Sequence, residues 1–420
     1  MLPGMACRCQ EGPAADAAGE TIGDQGLDQE PTDSPDAGPV DDAGADGVEA
    51  GDADTMIDSR IDAGEWSPDG CDYWMVGSDG CEGREYGHPE MPHRDCGPDA
   101  RELYLPQQLR SSGGEAEDAV SVWGNHAFVL EGIRVTAMNL ETGERRTVLC
   151  DDTGVGTVSM TQFGTAGVLN RSTAAWEACP WRYDYLLFDW DTLSPRLLHS
   201  EYNLPGPTGI PCEGGLDQWD IDAYGDLVAV VASDHDCIPA VFILDLRTGE
   251  WTRRVRLGPT LGWVSIWGRR VAYAAGEVYV LDLDTGDTLR LTDDSYGQES
   301  VDIWEDQVVW MDWRDGGRDI YRHDLTTGET SRVNRRADGL GNPRVFNGRV
   351  VFQGVNEDWL PVGSTRIWTF DILSGEERQV TFLPGHQFIE DVWEDKVYFS
   401  YMPDDGDARP TLCELTLEPR

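Results

Sequence analysis

Lysine is almost missing from this chain of 420 residues: Lys396 is the only one among 32 basic residues, which face 78 acidic ones. The resulting formal net charge of −46 argues against a nucleic-acid partner, because phosphate binding rests on clustered Lys and Arg. It equally disfavours adsorption to anionic lipid headgroups. No apolar run approaches the 18 or so residues that a membrane-crossing helix needs. No C-x-x-C pair is present, so neither a thioredoxin-like site nor a zinc ribbon has support. The nucleophile elbow G-x-S-x-G, the H-E-x-x-H helix and the P-loop are missing as well, and the seven His are scattered. Carboxylates are abundant, yet no pair is singled out for acid–base work.

What the chain does have is ten cysteines, and their number fits disulfides made in an oxidising compartment. Residues 1–66 form a leader. Met1–Cys9 (MLPGMACRC) lacks the basic start and apolar core of a secretory signal. Gly4–Cys7 (GMAC) is nevertheless similar to the end of a lipoprotein signal, with Ala6 before a lipidatable Cys7. The expectation is a signal shortened by a start placed too far downstream. Glu11–Glu65 is dominated by Asp, Ala, Gly and Pro, and reads as a disordered acidic linker that holds the folded part away from a membrane surface. Residues 67–100 form a neck with Cys71, Cys81 and Cys96 among Asp-Gly and Gly-Pro turns. Zinc is disfavoured there by the spacing. With three cysteines in the neck, one pairs outside it or stays free.

Residues 101–420 repeat one unit, shown best by Val301–Asn334. An inner strand ends in an aromatic, a turn leads to a second strand, and a third strand ends in the turn (D/N)-x-x-(T/S)-G-(E/D). The aromatics are Trp123, Phe163, Tyr224, Trp267, Trp304, Phe346 and Trp393, and the third-strand turns lie at Asn139–Glu144, Asp245–Glu250, Asp282–Asp287, Asp324–Glu329 and Asp371–Glu376. Asp or Asn can cap such a turn, while Gly accepts its left-handed conformation. The pattern predicts an all-β fold: a seven-bladed β-propeller of four-stranded antiparallel blades, behind a disordered acidic N-terminal tail. The last repeat ends after its third strand, so Glu102–Leu105 is expected to complete that blade and close the ring. The aromatics are expected in the cores between blades.

DWRDGGRDIYRHDLTTGE (Asp312–Glu329), with weaker echoes in EVYVLDLDTGD and RIWTFDILSGE, resembles the repeat of TolB-like β-propellers. The resemblance implies an envelope protein that binds partners without catalysis. Strand direction puts the long loops Arg171–Asp184, Ser200–Gln218, Ser233–Pro239, Asn356–Thr365 and Tyr401–Pro410 on one face, where recognition is usually found. Trp176, Trp181 and Tyr183, with Trp313 and Trp359, are the candidate residues for stacking on sugars or anchoring a peptide. Cys150, Cys179, Cys212 and Cys237 fall on the same face and are expected to form two disulfides, most naturally involving Cys179 with Cys212. Asp312, Asp315 and Asp319, and separately Asp404, Asp405 and Asp407, could hold Ca²⁺, but their spacing suits turn formation better. No other cofactor is expected. The reading is a monomeric, exported module of the periplasm or cell surface that binds protein or cell-wall glycan; a propeller glycoside hydrolase or lyase is the alternative.

Overall fold

The computed structural model describes Cys96, residues 100–104 and residues 120–418, apart from 132–133, 151–156, 164–165, 174–181, 190–195, 203–219, 234–238, 258–261, 336–337, 356–363 and 404–410. Every regular element among the described residues is a β-strand. β1 (Ala100–Tyr104) comes first. Blade one runs from β2 (Val120–Trp123) to β5 (Arg145–Cys150), blade two from β6 (Thr157–Phe163) to β9 (Arg196–Tyr202), and blade three from β10 (Ile221–Tyr224) to β13 (Glu250–Arg256). Blade four runs from β14 (Trp263–Trp267) to β17 (Thr288–Arg290), blade five from β18 (Gln298–Trp304) to β21 (Glu329–Arg332), and blade six from β22 (Asp338–Phe346) to β25 (Glu377–Gln379). β26 (His386–Trp393), β27 (Lys396–Met402) and β28 (Thr411–Thr416) follow. No helix among the described residues is long and apolar enough to cross a membrane.

The third-strand turns form as their residues dictate. Asp324 Oδ1 accepts the backbone N–H groups of Thr326 and Thr327 at 2.9 and 3.1 Å. The N–H of Gly328, at φ +72°, reaches the Asp324 carbonyl. Asn139, Asp245, Asp282 and Asp371 cap their own turns in the same way. A second bond recurs from blade to blade: the residue after the capping Asp or Asn donates its N–H to a carbonyl in the first turn of its blade, as Leu325 does to Asp306 and Leu283 to Arg269. Both sets of turns therefore sit at one end of the propeller.

The core lies between blades. One cluster joins Val241 and Ile243 of blade three to Val264, Val271 and Tyr273 of blade four. Another joins Val278 of blade four to Val301, Val308 and Trp310 of blade five, with Trp310 wholly buried. Both faces of a blade are covered, so Pro239–Asp245 is buried at every position, and alternation disappears from the sequence.

The seven-bladed expectation needs correcting in how the ring is made. Six blades are whole units, each a run of four consecutive strands. What completes the ring is a composite sheet, ordered β1-β28-β27-β26, that borrows β1 from the far end of the described chain. Its closing strand is Ala100–Tyr104 rather than Glu102–Leu105, because pairing starts at Ala100 opposite Leu415 and is interrupted by an irregularity between Glu102 and Tyr104. The expected disordered tail, most of the neck and the candidate Cys7, Cys71 and Cys81 lie outside the described residues.

Cys96 is bonded to Cys413 of β28 across 317 residues, and both are buried in the cluster between blade six and the composite sheet. This bridge answers the odd cysteine of the neck with a partner that the spacing did not single out. It fastens the segment just before β1 to the strand that β1 pairs with, so the closing strand cannot peel away at its leading end. Cys413→Ala with Cys96→Ala should cost roughly 2–5 kcal/mol, measured by denaturant unfolding. A variant as stable as the parent would show that strand pairing alone holds the ring.

Candidate functional site

Each inner strand ends in its aromatic, at the turn end of the propeller. The rings do more than fill gaps between neighbours. Trp123 and Trp393 approach to 4.1 Å between centroids, Tyr224 and Trp267 to 4.7 Å, and Phe346 and Trp393 to 5.2 Å. Trp304 lies 5.8 Å from Trp267 and 5.7 Å from Phe346. Trp267 of blade four also meets Phe346 of blade six edge-on at 6.2 Å, skipping the blade between them. Contact between non-adjacent blades means that the rings converge on the axis. The expectation of a purely inter-blade core is thus amended: Trp267, Trp304, Phe346 and Trp393 pack against inter-blade clusters and also join in one aromatic floor. All of these rings are only half-buried.

The residue two before each aromatic shares its face of the strand, since side chains alternate. This places Asp222, Ser265, Asp302, Arg344, Asp391 and Ser121 in a polar layer beside the floor. Asp222 Oδ2 accepts the N–H of Ile266 in blade four at 2.8 Å. Asp302 Oδ2 accepts that of Val345 in blade six at 2.6 Å, and Asp391 Oδ2 that of Val122 in blade one at 2.5 Å. Asp220 does the same for Val264 at 2.7 Å. An inner strand is a sheet edge, and these carboxylates satisfy N–H groups that no neighbouring strand reaches.

Ser265 Oγ lies 2.9 Å from Asp222 Oδ2 and 2.8 Å from Asp302 Oδ1. A hydroxyl has one proton to donate, so it can satisfy one ionised carboxylate, and the other carboxyl bonds best when it carries a proton itself. Burial, reinforced by the Asp302 charge and opposed by the Ile266 N–H and Ser265, pushes Asp222 up to about 6. Asp222 therefore takes up a proton at a higher pH than an exposed aspartate does.

Blade five shows where the Asp-rich hairpin spends its charge. Asp312 is fully buried, bonded by the Arg314 guanidinium at 2.5 Å and the Trp310 indole at 2.8 Å. Burial opposes its charge, but these donors outweigh burial and hold its carboxyl below the usual range. Asp319 meets Arg332 at 2.7 Å and the Asn334 amide at 2.8 Å, while Asp315 takes the Tyr321 hydroxyl at 2.6 Å. Arginine, tyrosine and amide groups thus stand where a Ca²⁺ ion would, and among the described residues no group of three potential ligands could hold a metal. Trp313 is half-buried under Arg318, whose guanidinium stacks 4.8 Å from the ring, and a Cβ on Gly297 would come within 3.2 Å of its edge.

Trp176, Trp181, Trp359, Cys179, Cys212 and Cys237 lie outside the described residues. Tyr183 sits in a blade-two strand and Cys150 ends β5, with backbone alone described. Of the loop-face candidates, Trp313 alone has its side chain among the described residues. The residues that do converge are the aromatic floor and the polar layer. The repeated x-(D/S)-x-aromatic pattern was the available signal for the second of these.

Two outcomes check this site. A group whose folded pKa is raised stabilises fully below its unfolded value and loses that contribution as pH climbs through the folded one. Asp222→Asn should therefore gain on the parent in melting temperature between pH 4 and pH 7; parallel curves would show that the Asp222 carboxyl titrates in the folded chain as it does in the unfolded one. Arg314→Met should lose about 3 kcal/mol, because it strands the buried Asp312, and Asp312→Asn in the same chain should recover part of the loss.

No family model matches the chain, and no curated protein does. Among solved structures, the β-propeller domain of the Trilobed protease from Pyrococcus furiosus, described as having an open velcro topology, aligns with a TM-score of 0.52 and 13% identity. That alignment covers 72% of this chain and 95% of the other. Acylaminoacyl peptidase from Pyrococcus horikoshii aligns at 0.48 and 14%, over 71% of this chain and 52% of that one, so the chain spans about half that protein's length. TolB from Acinetobacter baumannii aligns at 0.39 and 16%, over 71% and 78%. At such identities the likeness shows the fold alone, carried by the first of the three. The chain is a β-propeller.

Proposed function

We propose that this protein is a non-catalytic binding or scaffold propeller of the cell envelope. It is exported, tethered through Cys7 and the acidic linker, and engages a protein or cell-wall glycan through its long-loop face. The observation that supports this reading best is the commitment of its buried carboxylates. Asp220, Asp222, Asp302 and Asp391 hold inner-strand N–H groups, and Asp312 and Asp319 hold arginines. Acids spent on backbone and guanidinium partners build a rigid ring and are poorly placed to exchange protons with a substrate. The resemblance of Asp312–Glu329 to TolB-like repeats supports the same reading. Trp176, Trp181, Tyr183, Trp313 and Trp359 are the residues assigned to the contact, and two disulfides among Cys150, Cys179, Cys212 and Cys237 would stiffen the loops that carry the first three and Trp359.

The test is capture of partners from envelope extract, run beside a glycan array, with the parent and a Trp181→Ala/Tyr183→Ala variant. Selective retention by the parent supports the reading, with a loss of roughly tenfold or more in the variant if these rings are interface anchors. Turnover of an arrayed glycan would overturn it in favour of a carbohydrate-active enzyme.

A further inference from the structure

The turn end of the propeller has a site of its own chemistry. At the first turn of every blade where that turn is described, the residue after the aromatic takes a left-handed backbone. Blades one, three and four use Gly124, Gly225 and Gly268 there, at φ +59°, +63° and +63°. Blade five has Glu305 at φ +53° and the composite sheet has Glu394 at φ +55°. An L side chain pays a conformational cost in that region that glycine does not, yet two carboxylates stand in it. Both are exposed. Each directly follows a ring, Trp304 or Trp393, that touches Phe346 of the blade between them. The two glutamates therefore bracket one half-buried aromatic cluster.

The basic groups of the same turns are already engaged. Arg269 pairs with Asp284 at 3.0 Å, Arg270 with Asp306, and Lys396 with Glu414 at 3.3 Å, while Arg349 of the blade-six turn donates to the Glu418 carbonyl. Glu305 and Glu394 make no ion pair among the described residues. The electron-rich faces of indole and phenyl rings attract organic cations, and flanking carboxylates add to that attraction. The cluster sits at the turn face of the ring, beside exposed turns, which suits a side chain presented by another protein. The net charge of −46 would steer a basic partner toward this molecule over a distance.

We propose that the cluster of Trp304, Phe346 and Trp393, flanked by Glu305 and Glu394, receives an arginine or lysine side chain from a basic segment of a partner protein. This site does not rest on the proposed loop contact.

The probe is N-acetyl-arginine amide, with its neutral isostere N-acetyl-citrulline amide, titrated by saturation-transfer NMR at 150 mM salt, where long-range attraction is screened. The arginine probe should bind the full chain, and citrulline should bind at least about fivefold more weakly. Glu305→Gln with Glu394→Gln should weaken the arginine probe by a similar factor. Asp287→Asn with Glu376→Gln, which removes the same charge from exposed third-strand turns on this face, should leave it unchanged. Equal binding of the two probes would overturn the proposal, as would equal loss in the two double variants. Because all four substitutions lie at exposed turn positions, unaltered unfolding curves would show that any loss is local.

Discussion

An inner propeller strand has a neighbour on one side only, and the rest of this structure depends on how its other edge is satisfied. Adjacent blades are splayed, so the inner strands of two blades cannot form a ladder. Their inward N–H groups still have to be bonded. The protein meets this need with side chains reaching from one blade to the next: Asp222 to Ile266, Asp302 to Val345, Asp391 to Val122, and Gln353 to Ile389 at 2.8 Å. Each such bond fixes the height of one blade against its neighbour. The aromatics two residues further on are then brought to one level, and a floor forms where separate packing contacts would otherwise be.

The same device explains much of the acidic composition within the ring. Aspartate is used at inner-strand clamps, at third-strand turns and in the blade-five hairpin, and in every case it meets backbone N–H groups or arginine. Arginine suits the blade-five role because its planar fork can serve a buried carboxylate and a neighbour together, as Arg314 does with Asp312 and Asp294. Glu305 and Glu394 stand apart from this economy. Their backbones are held where glycine is the easier residue, and their carboxylates answer no structural need in the turn.

Ring closure carries the same logic to the ends of the chain. Left open, the outer edge of β28 would lack its ladder, and the composite sheet would have three strands. β1 supplies the fourth, and Cys96–Cys413 secures it from its N-terminal side.

Much of the fold was legible in the residues. The turn motif at Asp324–Glu329 carries its own capping group and its own left-handed glycine, so local chemistry alone specified it, and repetition turned one turn into an architecture. The position of the aromatics at the strand ends was equally plain. What they do there was not, because contact between Trp267 and Phe346 joins residues 79 positions apart in blades that do not touch in sequence or in order. Nor was the pairing of Cys96 with Cys413, or the hydrogen-bonded trio of Asp222, Ser265 and Asp302, which depends on side chains of three strands meeting within 3 Å. Sequence by itself determined strands, turns and the repeat, since those follow from neighbours along the chain. Only the closed ring decided which side chains face one another across its axis, because that is set by where the last blade meets the first.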